Sequence, residues 1–133
     1  TMMKLKGDLY EMIQASIDGT LTADQVTAHE HEAALIVLAS KGYCTNGSFK
    51  QGYPIAGLAE VSRMENIKVF HAGTRRGKAL IETNGGRVLG PTGIGATTQI
   101  ALSRAYGAVE KIVGESRVVN NGTDIFHYRD IRK

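Results

Sequence analysis

Residues 67–90 read IKVFHAGTRRGKALIETNGGRVLG, and this stretch decides the fold. Ile67 to Ala72 alternates in the manner of a half-buried strand. Gly73 to Gly77 supplies a turn. Ala79 to Thr83 is a second strand, Asn84-Gly85-Gly86 a tight bend, and Arg87 to Gly90 a third strand. Three strands this close in sequence are expected to pair as an antiparallel meander.

Downstream, Gly90 to Ala96 is glycine-rich and is expected to connect the last of these strands to a helix capped by Thr97 or Thr98. Ala101, Ala105, Ala108, Val109 and Ile112 recur at helical spacing and form its buried stripe, with Gly114 as the expected stop. Asn120-Asn121-Gly122 is a turn, and Ile125 to Tyr128 a final strand. Upstream, Leu58 to Met64 fits a short helix, and Cys44 to Gly57 is loop-like. Ala33 to Ala39 (AALIVLA) is a continuous apolar run that fits a strand buried on both faces, a buried helix segment being the other reading of the same run. Thr22 to Gln25 fits a capping box. The first 18 residues place Leu5, Leu9, Met12, Ile13 and Ile17 on one helical face, closed by Gly19. That helix has no cap sequence of its own, and its apolar face calls for a partner. Helix, strands, helix and strand in this order argue for an α+β domain.

The 133 residues suit one domain, and 42% hydrophobic content suffices for a core. A single cysteine, Cys44, excludes a disulfide scaffold and a multi-cysteine zinc site. No apolar run is long enough to span a bilayer, and no secretory signal opens the chain, so a cytoplasmic protein without a membrane partner is expected. Sixteen Lys and Arg against 13 Asp and Glu give a mild basic excess. The cations are scattered, apart from Arg75-Arg76 and Arg129 to Lys133. That pattern suits a solvated surface or an anionic small molecule better than nucleic acid, which needs clustered cations with stacking aromatics.

Few residues suggest chemistry. Gly90 to Thr97 precedes a helix, where amides can hold phosphate, but no lysine follows Gly95 as a Walker loop requires, and the dinucleotide pattern lacks its third glycine. His29-Glu30-His31-Glu32 has no third metal ligand in view, and Cys44 no assignable base. No catalytic residue and no metal ligand is assigned in this chain. The most informative constellation is His71 and Thr74 at one strand end, with Asn84, Gly85, Gly86 and Arg87 at the neighbouring bend. A glycine pair there lets backbone approach a ligand or adopt positive φ, and Arg87 could offer a guanidinium fork to a phosphate or carboxylate. A purely structural hairpin is the other reading of these residues.

The segments VFHAGT (69–74) and TNGGRVLG (83–90), at this spacing, resemble the carboxy-terminal region of the phosphoribosylamine–glycine ligase family, the glycinamide ribonucleotide synthetases of the ATP-grasp superfamily. The resemblance extends to residues 2–21, to AALIVLASKGY (33–43), to ALSRAYGAVEKI (101–112) and to YRDI (128–131). It departs from the family at Gln51-Gly52, where Lys-Gly is usual, and over Gly114 to Asp124. The resemblance implies a small, mostly antiparallel sheet with flanking helices, preceded by a helix that belongs to an upstream ATP-grasp domain. Residues 1–24 would then end that domain, and residues 25–133 would form the carboxy-terminal domain. It favours the connector reading of residues 91–97.

The activity implied is the joining of glycine to 5-phosphoribosylamine, with ATP hydrolysed to ADP and phosphate and magnesium bridging the ATP phosphates. ATP and magnesium would be held by upstream domains. This piece would wall the substrate site with Asn84, Gly85, Gly86, Arg87, His71 and Thr74, and would be inactive alone. The carboxy-terminal domain of another ATP-grasp ligase, or a stand-alone basic module, are the rival readings.

Overall fold

Residues 87–95 (RVLGPTGIG), the glycine-rich stretch with its preceding turn of strand, form the longest strand of the protein, and most of the architecture is built on it. The computed structural model describes residues 2–128. In chain order these contain β1 (Leu5–Lys6), α1 (Leu9–Ile17), β2 (Thr27–Ala28), β3 (Glu32–Leu35), β4 (Leu38–Ser40), α2 (Tyr43–Asn46), β5 (Pro54–Ile55), α3 (Leu58–Val61), β6 (Ile67–His71), β7 (Thr74–Arg76), β8 (Ile81–Thr83), β9 (Arg87–Gly95), α4 (Thr98–Val119) and β10 (Phe126–His127). The fold is α+β, as the element order implied, and every strand pairing is antiparallel. The main sheet runs β10-β4-β9-β3, with β6 also on β9, and a smaller sheet runs β5-β8-β7.

Gly90 to Gly95 is thus strand, not connector; the link to α4 is only Ala96 and Thr97. Glycine is a poor strand former, and the reason for it here is α4 lying directly on the strand. A β-carbon on Gly93 would lie 2.3 Å from the Ala101 carbonyl oxygen, and one on Gly95 would lie 2.5 Å from Ile100 Cγ2. Removing those side chains lets the helix seat its small residues, and Ala101, Ala105, Ala108, Val109 and Ile112 are buried as the spacing predicts. Thr97 caps the helix, its hydroxyl accepting from Ile100 N at 3.3 Å.

Gly114 does not end α4. A β-carbon there would meet nothing within 4 Å, and the helix runs on to Val119, where Asn121 and Gly122 take left-handed φ. Its extra length anchors the small sheet: Asn120 Nδ2 donates to the Pro54 carbonyl at 2.8 Å, and Ser116 Oγ accepts from Ala56 N at 3.1 Å. Leu38, Ile55, Val61, Val88, Tyr106 and Phe126 join the α4 stripe in one core.

The expected three-strand meander does not form, because its middle strand lies in the other sheet. β6 pairs with β9, from Ile67↔Gly93 to His71↔Leu89. The β7–β8 hairpin between them leaves the sheet and pairs with β5 instead. The apolar run from Ala33 splits into β3 and β4 at Ile36-Val37, where Ile36 N donates to the Pro91 carbonyl at 3.0 Å. It is not buried on both faces. Ala34, Ile36 and Leu38 are buried, whereas Leu35 and Val37 are over 40% exposed.

The first 18 residues are not one helix. Gly7, at φ +108, breaks the chain, and Asp8 caps α1 by accepting from Tyr10 N at 2.7 Å. Of the proposed stripe only Met12 is buried, with Leu9, Ile13 and Ile17 exposed. The segment is tied back by β1 pairing with β2, by His29 N donating to the Lys4 carbonyl, and by Lys4 Nζ on Glu32 at 3.2 Å. At the expected capping box, Gln25 Oε1 accepts from Thr22 N at 2.7 Å, and the neighbouring Thr22 hydroxyl holds the Asp24 carboxyl below its ordinary range. No helix among the described residues is long and apolar enough to cross a membrane. The basic cluster from Arg129 to Lys133 and most of the YRDI segment lie outside the described residues.

Candidate functional site

The bend that delivers Arg87 is built by backbone packed on backbone. Gly73 and Gly85 touch: a β-carbon on Gly73 would lie 2.7 Å from Gly85 Cα. Asn84 N donates to the Gly73 carbonyl at 2.8 Å, and Gly73 N to the Arg87 carbonyl at 2.9 Å. From the other side, Ser40 N donates to the Gly86 carbonyl at 2.7 Å and Ser40 Oγ to the Gly85 carbonyl at 2.7 Å. Neither Gly85 nor Gly86 has positive φ. What the missing side chain of Gly86 admits is an aromatic ring, since a β-carbon would lie 2.2 Å from Cδ2 and Cε2 of Tyr43. Phe49 braces that ring edge-on, centroids 5.4 Å apart at 83°.

Tyr43 and Arg87 stand between two adjoining cavities. One, about 450 Å³, opens where β6 ends and β9 begins, and is bounded by Phe70, His71, Gly86 and Leu89 in addition to that pair. The other, about 320 Å³, adds Cys44 and His127. Leu35 and Val37 line both. The two exposed members of the AALIVLA run thus find their place here, as an apolar wall facing Arg87. Among the described residues the Arg87 guanidinium has no hydrogen-bond or ion-pair partner. An unpaired guanidinium against an apolar wall favours an anionic group, because a charge-assisted, bidentate bond strengthens as water is excluded.

The residues expected from sequence divide into three groups. Gly86, Arg87 and His71 line the cleft. Thr74 stands behind His71, its Oγ1 sharing a hydrogen bond with His71 Nδ1 at 3.1 Å, and Gly85 serves the packing of the bend. Asn84 is exposed and outside both cavities. Tyr43, Leu35 and Val37 were missed. A glycine opposite an aromatic is a tertiary relation with no local signal, and the unbroken apolar run concealed its own alternation.

Among the described residues no three His, Cys, Asp or Glu side chains gather as a metal ion requires. His29 and His31 do share a face, but they stack on one another with centroids 5.0 Å apart, and His31 Nε2 bonds the Met3 carbonyl at 2.9 Å.

The chain is 40% identical over 112 residues to the phosphoribosylamine–glycine ligase of Rhodopirellula baltica, an alignment that takes in 84% of this chain and 25% of that protein. It is 42% identical over 132 residues to the ligase of the same name from Allochromatium vinosum, 98% and 28% of the two chains. The human trifunctional purine biosynthetic protein adenosine-3 is 39% identical over 115 residues, 86% and 11%. In three dimensions the chain resembles the crystal structure of phosphoribosylamine–glycine ligase from Thermotoga maritima, with a TM-score of 0.61 at 28% identity, over 77% of this chain and 24% of that one. The chain therefore spans about a quarter of the length of the single-function ligases it matches. A family model described as phosphoribosylglycinamide synthetase, C domain, matches residues 33–126, from the start of the apolar run through the bend, the cleft and α4 to Phe126. By its sequence and its fold alike, the chain belongs to the phosphoribosylglycinamide synthetase C-domain family.

Proposed function

We propose that this chain is the carboxy-terminal domain of an ADP-forming phosphoribosylamine–glycine ligase of purine biosynthesis, a cytoplasmic enzyme, and that its Arg87 cleft forms one wall of the substrate site. The observation that carries this reading is the Arg87 guanidinium, without a partner among the described residues, between Tyr43 and the apolar wall of Leu35 and Val37. In the full protein the carboxylate of glycine would be activated as an acyl phosphate at the expense of ATP, and the amine of 5-phosphoribosylamine would displace that phosphate. Such chemistry asks for positioning and charge neutralisation more than for a nucleophilic side chain. Arg87 would take the ribose phosphate or the carboxylate end, with His71 beside it. The metal ligands and the ATP clamp are assigned to the rest of the protein; among the described residues of this chain no three His, Cys, Asp or Glu side chains gather to hold a metal. Residues 1–24, with the exposed Leu9, Ile13 and Ile17 of α1, are assigned to the upstream ATP-grasp domain as its terminal helix.

Arg87→Lys in the full-length protein tests the reading. The expected result is a Michaelis constant for phosphoribosylamine raised at least about tenfold, about 1.4 kcal/mol, with the melting temperature unchanged. A lowered melting temperature with an unchanged Michaelis constant would make Arg87 a brace of the fold. Glycine-dependent ADP release by the 133-residue chain alone would overturn the assignment of the ATP clamp to other domains.

A further inference from the structure

On the far side of the Tyr43–Phe49 pair lies a separate cavity of about 350 Å³, and it differs in character from the Arg87 cleft. Lys41 and Lys50 line it, together with Phe49, Tyr53, Thr123 and Asp124. Neither lysine ammonium has a hydrogen-bond or ion-pair partner among the described residues. Asp124 does not offset them alone, because Arg117 Nε sits 3.4 Å from its carboxylate. Two cations without a partner among the described residues share one concavity, and its volume falls in the range of small-molecule sites.

Backbone hydrogen bonds hold Lys41 on one side and the segment just after Lys50 on the other. Lys41 N donates to the Ile125 carbonyl at 3.0 Å, which sets the β4 end of the wall against the segment before β10. Gly52 N donates to the Thr83 carbonyl at 2.7 Å, while Tyr53 N donates to Thr83 Oγ1 at 3.1 Å and Thr83 N to the Tyr53 carbonyl at 2.9 Å. Both sides of the cavity are thereby fastened to sheet strands. Phe49, half-buried, shows the cavity a ring whose orientation is held by Tyr43. Ammonium groups suit phosphate oxygens, and a held aromatic ring suits a planar group, by stacking.

The geometry points to a second anion-binding site here, for a phosphorylated small molecule with a planar ring, that is, a compound of nucleotide chemistry, with Lys41 and Lys50 on the phosphate and Phe49 on the ring. The site is independent of Arg87 and of the reading of the Arg87 cleft.

Calorimetric titration of the 133-residue chain with inorganic pyrophosphate and with ADP tests it, alongside the Lys41→Gln/Lys50→Gln double variant, Phe49→Leu and Arg87→Gln. Circular dichroism controls for folding. Binding of both probes is expected, with ADP the tighter. The lysine double variant should lose at least about tenfold for both. Phe49→Leu should weaken ADP while sparing pyrophosphate, and Arg87→Gln, which removes the cation of the other cleft, should leave the lysine-dependent binding of both probes in place. If Phe49→Leu disturbs the fold, amide shift mapping of ADP on the wild-type chain serves instead, with Lys41, Lys50 and Thr123 expected to move. No pyrophosphate binding at millimolar concentration, or binding that survives the lysine changes and disappears in Arg87→Gln, overturns the proposal.

Discussion

Under α4 Gly93 of β9 meets backbone, whereas at the bend beside the cleft Gly86 meets a side chain. A β-carbon on Gly93 would strike the Ala101 carbonyl at 2.3 Å and Ala105 N at 2.8 Å; one on Gly86 would strike the ring of Tyr43 first, at 2.2 Å. The two regions are joined by one strand, yet they differ in what can yield. A buried helix seated along its length cannot lift at one residue without losing the contacts of its whole stripe. Tyr43, 38% exposed on a helix of one turn, can turn away. Glycine in β9 is thus a requirement of the core, and glycine at Gly86 a requirement of the cleft.

Gly93→Ala gives the sharpest break in this comparison. It should destabilise the chain by about 3 kcal/mol or more in urea denaturation, at the upper end of overpacking costs. A loss under about 1 kcal/mol would mean that α4 rides loosely on β9, and the account of the glycine-rich strand would fail. Between the extremes lie the two halves of the bend. Gly73→Ala drives a β-carbon onto the Arg87 carbonyl and Gly85 Cα, both at 2.7 Å, and should cost about 2 kcal/mol. Gly86→Ala should cost only about 1 kcal/mol, because a partly exposed ring absorbs the clash. Its mark should be on the cleft: the Tyr43 ring resonances should shift and lose their contacts with Phe49 in NMR spectra. If Gly86→Ala were as damaging as Gly93→Ala, the distinction between core and cleft glycines would vanish.

The same contrast explains what could be read from the amino acids. The α4 stripe, the Thr97 cap and the turn of Thr22 to Gln25 all follow from local periodicity or local polar chemistry, whereas the pairing of β6 with β9 skips the hairpin that sequence order places between them. The β9 glycines do not, since their cause is a helix that follows them in sequence and returns over them in space. Local propensity reads such a run as a connector. The start of the chain failed differently. Leu5 and Leu9 hold helical spacing, but Gly7 at φ +108 and the Asp8 cap between them interrupt the helix, and two local signals outweigh one period. At the site, Arg87, Gly86 and His71 were legible as a motif, while Tyr43, Leu35 and Val37 come from elements that meet only in the folded chain.

Gly114 completes the comparison from the side of least consequence. It lies inside α4, where glycine costs backbone entropy, and its missing β-carbon points into open space. Its φ is not in the left-handed region, so alanine fits without strain. Gly114→Ala should therefore stabilise the chain by about 0.5–1 kcal/mol, through fewer unfolded conformations and better helix propensity. Thermal or urea denaturation reads this directly. A stabilisation here beside a collapse at Gly93 would separate two glycines of one helix–strand pair by sign. A loss at Gly114 would show that its open face is covered in solution, by another copy of the chain or by the helix bending on itself.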